Sequence, residues 1–127
     1  MEKYPKISEA EWQVMKQLWM DHPISANGIV KQLAKTVSWK PKTVKTLINR
    51  LVQKKAVGFE KQGRRHLYFP LVAEEEIVRE ESRSFLNRFF GGTFTPMLAS
   101  LIENRDLSEN EIKELKALLD KVDEQGK

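Results

Sequence analysis

The chain has no cysteine among its 127 residues, which removes disulfide staples, thiolate metal sites and thiol nucleophiles at one stroke. Imidazole is nearly as scarce. His22 and His66 are the two histidines, 44 positions apart with no flanking motif, and no second histidine or nearby acid completes a site at His66, so no metal site is expected and no cofactor is implied. A hydrolase pairing His66 with Ser82 or Ser84 would lack any supporting motif, and no catalytic activity is expected. Long apolar runs are missing as well: nothing approaches the roughly 20 residues of a membrane-spanning helix. The opening MEKYPKISEAEW lacks the apolar core of a secretory signal, so a cytoplasmic chain with no direct membrane insertion is expected.

The most informative absence is acid. From Val30 to Phe59 there are eight Lys and Arg and no Asp or Glu, whereas solvated helix faces ordinarily mix the two signs. The net charge of +4 conceals this asymmetry, because residues 1–73 hold 14 basic and 5 acidic side chains and residues 74–127 hold 8 and 13. The first half suits a polyanion such as nucleic acid; the second suits another task, such as self-association.

What is present reads as an ordered series of elements. Ser8-Glu9-Ala10-Glu11 is a capping box that opens a first helix carrying Val14, Met15, Leu18 and Trp19 at helical spacing, stopped by His22-Pro23. Ser25 caps a second helix, Ala26 to Ala34, with Ile29, Val30 and Leu33 on one face. Pro41 suits the first turn of a third, which runs to about Lys55. Two strands are predicted over Val57 to Lys61 and Arg65 to Phe69, joined by Gln62-Gly63-Arg64 and ended by Pro70. Three helices followed by a basic hairpin describe a winged helix-turn-helix. After Ala73 the chain is helical: Glu74-Glu75-Glu76 favour a helix N-terminus, Gly91-Gly92 ends that helix, a short apolar helix follows, and Ser108-Glu109-Asn110-Glu111 caps a last one. The fold class is therefore mostly α (α+β), with a winged-helix domain at 1–73 and a helical dimerisation domain at 74–127.

On a helical wheel, Lys45, Thr46, Asn49 and Gln53 fall within about 60° of Lys42, opposite Val44, Leu47, Ile48 and Leu51. That polar face has the chemistry of a major-groove reader. Lysine donates to guanine, asparagine pairs with adenine and threonine meets the thymine methyl. Thr43 and Arg50 lie on its flank, from which they reach sugar-phosphate, as do Lys54 and Lys55 at the helix end. The hairpin adds Lys61, Arg64, Arg65 and His66, a group suited to backbone phosphate. Trp12, Trp19 and Trp39 suit packing in the core or at the groove edge.

The 54 residues after Ala73 carry more apolar side chains than three short helices can bury among themselves. A symmetric dimer would bury the same patch on both copies and set two reading helices on one palindromic duplex; folding back on the first domain is the alternative. The candidate interface comprises Val78, Phe85, Leu86 and Phe89, then Leu98 and Leu101, then Ile112, Leu115 and Leu119.

The segments ISEAEWQVMKQLW, ISANGIVKQL, WKPKTVKTLINRLVQKKA, SFLNRFFGG and LSENEIKELKALL, in that order, resemble the BlaI/MecI family of penicillinase and methicillin-resistance repressors over nearly the whole chain. The resemblance implies a homodimeric repressor on a double-stranded palindromic operator upstream of a β-lactamase or related resistance gene. By position, it implies that Lys42, Thr43 and Thr46 read bases while Lys45, Arg50 and the wing cations hold phosphates. It also implies a sensor-transducer system and inactivation by a protease, commonly at an Asn-Phe bond, which here aligns with Ser100-Leu101 and so departs from the pattern. Lys40 stands where relatives often have a capping Ser, which leaves either a weaker cap or one supplied by Ser38. The rival reading is a winged-helix regulator released from DNA by a small hydrophobic ligand bound among Phe85, Phe89 and Met97.

Overall fold

The computed structural model describes residues 4–125 and divides into two compact units, Met1–Glu80 and Glu81–Lys127. In the first unit α1 (Glu9–Met20), α2 (Ala26–Leu33) and α3 (Pro41–Gln53) precede the hairpin strands β2 (Val57–Gln62) and β3 (Arg65–Pro70), with a short strand β1 (Ile24–Ser25) between α1 and α2. The α1 capping box forms as the sequence predicts: the Glu11 amide donates to Ser8 Oγ at 3.1 Å and the Ser8 amide to Glu11 Oε1 at 2.9 Å. At α3 neither Lys40 nor any other side chain caps the first turn; Pro41 occupies it instead, removing one of the amides that would need a partner.

Val14, Met15 and Leu18 of α1, Ile29 and Leu33 of α2, and Val44, Leu47, Ile48 and Leu51 of α3 form one buried cluster, closed by Ala56, Val57 and Tyr68. The i, i+3, i+4, i+7 spacing in α3 turns all four of its buried residues inward and leaves the opposite face wet. Trp12 and Trp19 pack edge to face at 5.2 Å, and the Trp19 indole donates to the Val72 carbonyl at 2.9 Å. These two aromatics therefore serve packing.

The strand β1 has no counterpart among the elements predicted from sequence. It pairs antiparallel with β3, Ile24 opposite Tyr68 and Ser25 opposite Leu67, to give a sheet of order β1-β3-β2. Two residues carry no period-2 pattern, so only the pairing reveals them. On the first turn of α2, Gly28 lies against this strand: a Cβ there would lie 2.7 Å from the Ile24 side chain. In the hairpin, Gln62 pairs with Arg65, which shortens the expected three-residue connection to Gly63-Arg64. Gly63 takes φ 63°, a positive angle at the first central position, as a type II′ turn requires.

The helix α4 (Glu74–Phe90) crosses the division between units. Its first two turns belong with the winged helix, Ile77 being buried and Glu74 accepting from Lys16 Nζ at 2.9 Å, so the boundary expected after Ala73 moves to Glu80. The second unit holds the rest of α4 with α5 (Thr95–Glu103) and α6 (Glu109–Gln125). Gly91 and Gly92, both at positive φ, end α4, and the second capping box opens α6 through reciprocal Ser108 and Glu111 hydrogen bonds. No described residue of this unit is fully buried. Among the described residues no helix is long and apolar enough to cross a membrane.

Candidate nucleic-acid interface

The exposed face of α3 consists of Lys42, Thr43, Lys45, Thr46, Asn49, Arg50 and Gln53, with no acid among them. Burial of Val44, Leu47, Ile48 and Leu51 fixes which way this face points, since rolling the helix would expose that apolar row. Thr46 Oγ1 donates to the Lys42 carbonyl at 3.0 Å. Its hydroxyl proton is thereby used, and what Thr46 presents outward is a methyl group and oxygen lone pairs, the surface a thymine methyl or a base N–H can meet.

Beside this face lies an open cleft of about 550 Å³ lined by the start of α2 (Ser25 to Gly28), Lys31, Lys45, Arg64, Arg65, His66 and Tyr68. Three elements converge on it, and the charged side chains they bring are all cationic. The hairpin sequence groups Arg64 with Arg65, and the family resemblance gives Lys45 a phosphate role, but neither relates Lys45 to the hairpin in space; the fold gathers them. It also adds Lys31 and the N-terminal turn of α2, which sequence reasoning misses. The signal is weak, because Lys31 is one exposed cation on a short helix and nothing local shows that its neighbours are the wing and α3. Helix N-termini favour anions, so the start of α2 acts in the same sense as the side chains.

His66 forms the aromatic part of the wing rather than a ligand set, stacking on Phe59 at 4.6 Å between centroids. Among the described residues no cluster of His, Asp or Glu is arranged to hold a metal. Lys61, on β2 opposite His66, is exposed. Arg50 is exposed on the last turn of α3.

The structure gives Lys54 partners that the sequence does not suggest. Its ammonium donates to Glu11 Oε1 at 2.5 Å and to the Lys6 carbonyl at 2.8 Å, which uses two of its three N–H groups within the protein. Burial alone pushes the Glu11 carboxyl upward, but the Lys54 hydrogen bond and charge, with the Ser8 amide, outweigh it and hold Glu11 below the usual carboxylate range.

Of the candidate contact residues in the second unit, Phe85, Phe89 and Leu119 are exposed, while Leu86, Leu98, Leu101, Ile112 and Leu115 are half-buried. Val78, on the early part of α4, is exposed. Phe85 and Phe89 touch at 5.0 Å, while Leu98 and Leu115 share a groove of about 360 Å³ with Phe94, Leu107 and Leu118. Ser100 and Leu101 lie inside α5, where the Ser100 carbonyl accepts from the Asn104 side chain at 2.8 Å.

The penicillinase repressor family profile matches residues 7–121. The chain is 42% identical over 120 residues to the penicillinase repressor of Bacillus licheniformis, covering 94% of each chain. It is 38% identical over 116 residues to the methicillin resistance regulatory protein MecI of Staphylococcus aureus (strain N315), covering 91% of this chain and 94% of that one. The solution structure of monomeric Bacillus licheniformis BlaI in complex with the blaP half-operator superposes with a TM-score of 0.52 and 42% identity, over 60% of this chain and 93% of that chain.

Proposed function

Since this chain belongs to the penicillinase repressor family, we propose that it is a homodimeric, sequence-specific repressor that silences a β-lactamase or related resistance operon by occupying a palindromic operator. The observation that carries the reading is the acid-free exposed face of α3 beside a cleft lined by Lys31, Lys45, Arg64 and Arg65. Lys42, Thr43, Thr46 and Asn49 read base edges in the major groove, while Lys45, Arg50, Lys61, Arg64 and Arg65 hold the phosphates that flank it. A 42% identical relative solved on a half-operator supports operator DNA as the partner of this domain.

Dimerisation rests on the second unit. Phe85, Phe89, Ile102, Leu118, Leu119 and Val122 are each between 43% and 62% exposed, an apolar surface that a second copy would remove from water at about 25 cal/mol per Å². A paired protein joins two half-sites, so anything that separates the copies lowers occupancy steeply. Proteolysis within this unit is the proposed off-switch. Ser100-Leu101 would have to unwind from α5 before a protease could bind it as an extended segment, and local opening of a helix with no buried residue is inexpensive. The protein acts in the cytoplasm, where its operator is.

Selection of duplexes from a random-sequence library, with light scattering on the free protein, tests the reading. An inverted repeat bound by two protomers, at least about 10³-fold more tightly than scrambled DNA, is expected. Enrichment of no motif, or a free protein that stays monomeric at micromolar concentration, would overturn it.

A further inference from the structure

Glu11 is 1% exposed, yet it lies on the first turn of α1, where a carboxylate would ordinarily be wet. Its Oε1 accepts from two donors, the Ser8 amide at 2.9 Å and Lys54 Nζ at 2.5 Å, the latter from 43 positions away. Lys54 is the C-cap of α3, and its ammonium also donates to the Lys6 carbonyl. The next residue, Lys55, takes the left-handed φ of 65°, and the Ala56 amide closes back on the Leu51 carbonyl at 3.0 Å. One end of α3 is thus bolted to the N-terminus of α1, through a carboxylate that the capping box itself prevents from rotating.

The capping box alone does not explain this arrangement. At the second box, Glu111 makes the same reciprocal bonds with Ser108 and remains exposed with no lysine on it. Packing of Val44, Leu47, Ile48 and Leu51 holds α3 against its neighbours, but apolar contact is non-directional and leaves small rotations and slides inexpensive. A charge-assisted hydrogen bond between two fixed helix ends is directional.

We propose that Glu11 and Lys54 are positioning residues for DNA readout, fixing the angle at which α3 presents its exposed face. The inference rests on the reading of α3 as the base-contacting helix. Lys42 lies 12 residues before Lys54, about 18 Å along the axis at 1.5 Å per residue, so a pivot of only 5° at the anchored end moves it by about 1.6 Å. A displacement of that size breaks hydrogen bonds to base edges, whose distances must hold within a few tenths of an ångström. Contacts to phosphate through long flexible side chains absorb it. Loss of the pair should therefore reduce discrimination between sequences while leaving general DNA affinity in place.

The test uses the full chain, the duplex it enriches from a random library, and a scrambled duplex of the same composition. Wild type must first discriminate between the two; its failure to do so would overturn the reading of α3 itself, not the role of the pair. The double variant Glu11→Gln/Lys54→Met removes both charges together, so that neither is left buried alone, and should fold. Circular dichroism at the assay temperature verifies this, and the single variant Glu11→Gln, which keeps an acceptor for the Ser8 amide, replaces it if the double variant is unfolded. The expected result is a loss of at least tenfold on the enriched duplex, less than twofold on the scrambled one, and an unchanged salt slope. Lys54→Arg, with its longer donor, should retain most of the discrimination. A purely structural pair would lower the melting temperature and leave the ratio of the two affinities untouched. Equal losses on both duplexes, with a salt slope lower by about one, would make Lys54 a phosphate contact. Either result overturns the proposal.

Discussion

Replacing Lys31, Lys45, Arg64 and Arg65 together by Gln should reduce DNA affinity by an amount that the cleft geometry sets in advance. All four are exposed and line one cleft, so the substitutions alter charge at little cost to the fold, within about 0.5 kcal/mol each. Each cation that neutralises a phosphate contributes about 0.9 to the slope of log affinity against log salt. At 0.15 M salt that slope corresponds to about fivefold per contact, or about 1 kcal/mol. Four contacts per protomer then amount to about a thousandfold for one half-site, and the salt slope of a single protomer should fall by about 3.6. Fluorescence anisotropy with a half-site duplex between 50 and 300 mM KCl measures both quantities on the same samples. Lys113→Gln and Lys116→Gln on α6 serve as controls, being exposed but remote in sequence from the cleft-lining segments. A slope unchanged in the quadruple variant would show that the phosphate path runs elsewhere and that the convergence of α2, α3 and the wing is incidental.

Other perturbations follow from single contacts. Thr46→Val keeps the outward methyl, and the hydroxyl it removes already gives its proton to the Lys42 carbonyl, so a methyl contact to thymine predicts binding within about twofold of wild type by anisotropy, whereas a loss of about 1 kcal/mol or more would assign the oxygen lone pairs to a base N–H. Lys55→Gly should stabilise the first unit by about 0.5–1 kcal/mol in urea melts, because a residue at φ 65° carries a Cβ penalty that glycine lacks. The Glu11 carboxyl is held below its ordinary range in the folded chain. The stability this contributes is complete above the unfolded-state pKa of about 4.3 and is lost as pH falls through the folded value. Between pH 6 and pH 2.5 the melting temperature of wild type should therefore fall more steeply than that of Glu11→Gln; parallel curves would mean that the Lys54 contact does not hold the carboxylate.

Features that depend on neighbours within a few positions are legible in the amino-acid order alone. Both capping boxes are four-residue patterns whose partners lie three positions apart, and both form. The third helix is visible because burial demands a 3.6-residue period, which α3 satisfies with Val44, Leu47, Ile48 and Leu51. The hairpin is visible from its strands and Gly63, although its turn is one residue tighter than the three-residue connection suggests. Legibility ends where a residue's role depends on a distant partner. Lys54 resembles any other cation at the end of a basic helix, because Glu11 is 43 positions away. Lys31 gives no local hint of facing Arg64 and Arg65 across a cleft. The strand β1 exists only through its pairing with Tyr68 and Leu67. The change in charge sign falls after Ala73, but the acidic start of α4 packs with the first unit, since Glu74 meets Lys16 and Ile77 is buried. Packing, not the change in charge sign, marks where the first unit ends.

The most direct measurement is dimethyl sulfate protection on the enriched duplex, because guanine N7 is accessible to that reagent only from the major groove. Protected guanines in two successive major grooves on one side of the duplex are expected, with protection at one guanine per half-site lost in Lys42→Ala. Full reactivity of every guanine under saturating protein would contradict the placement of α3 in the groove.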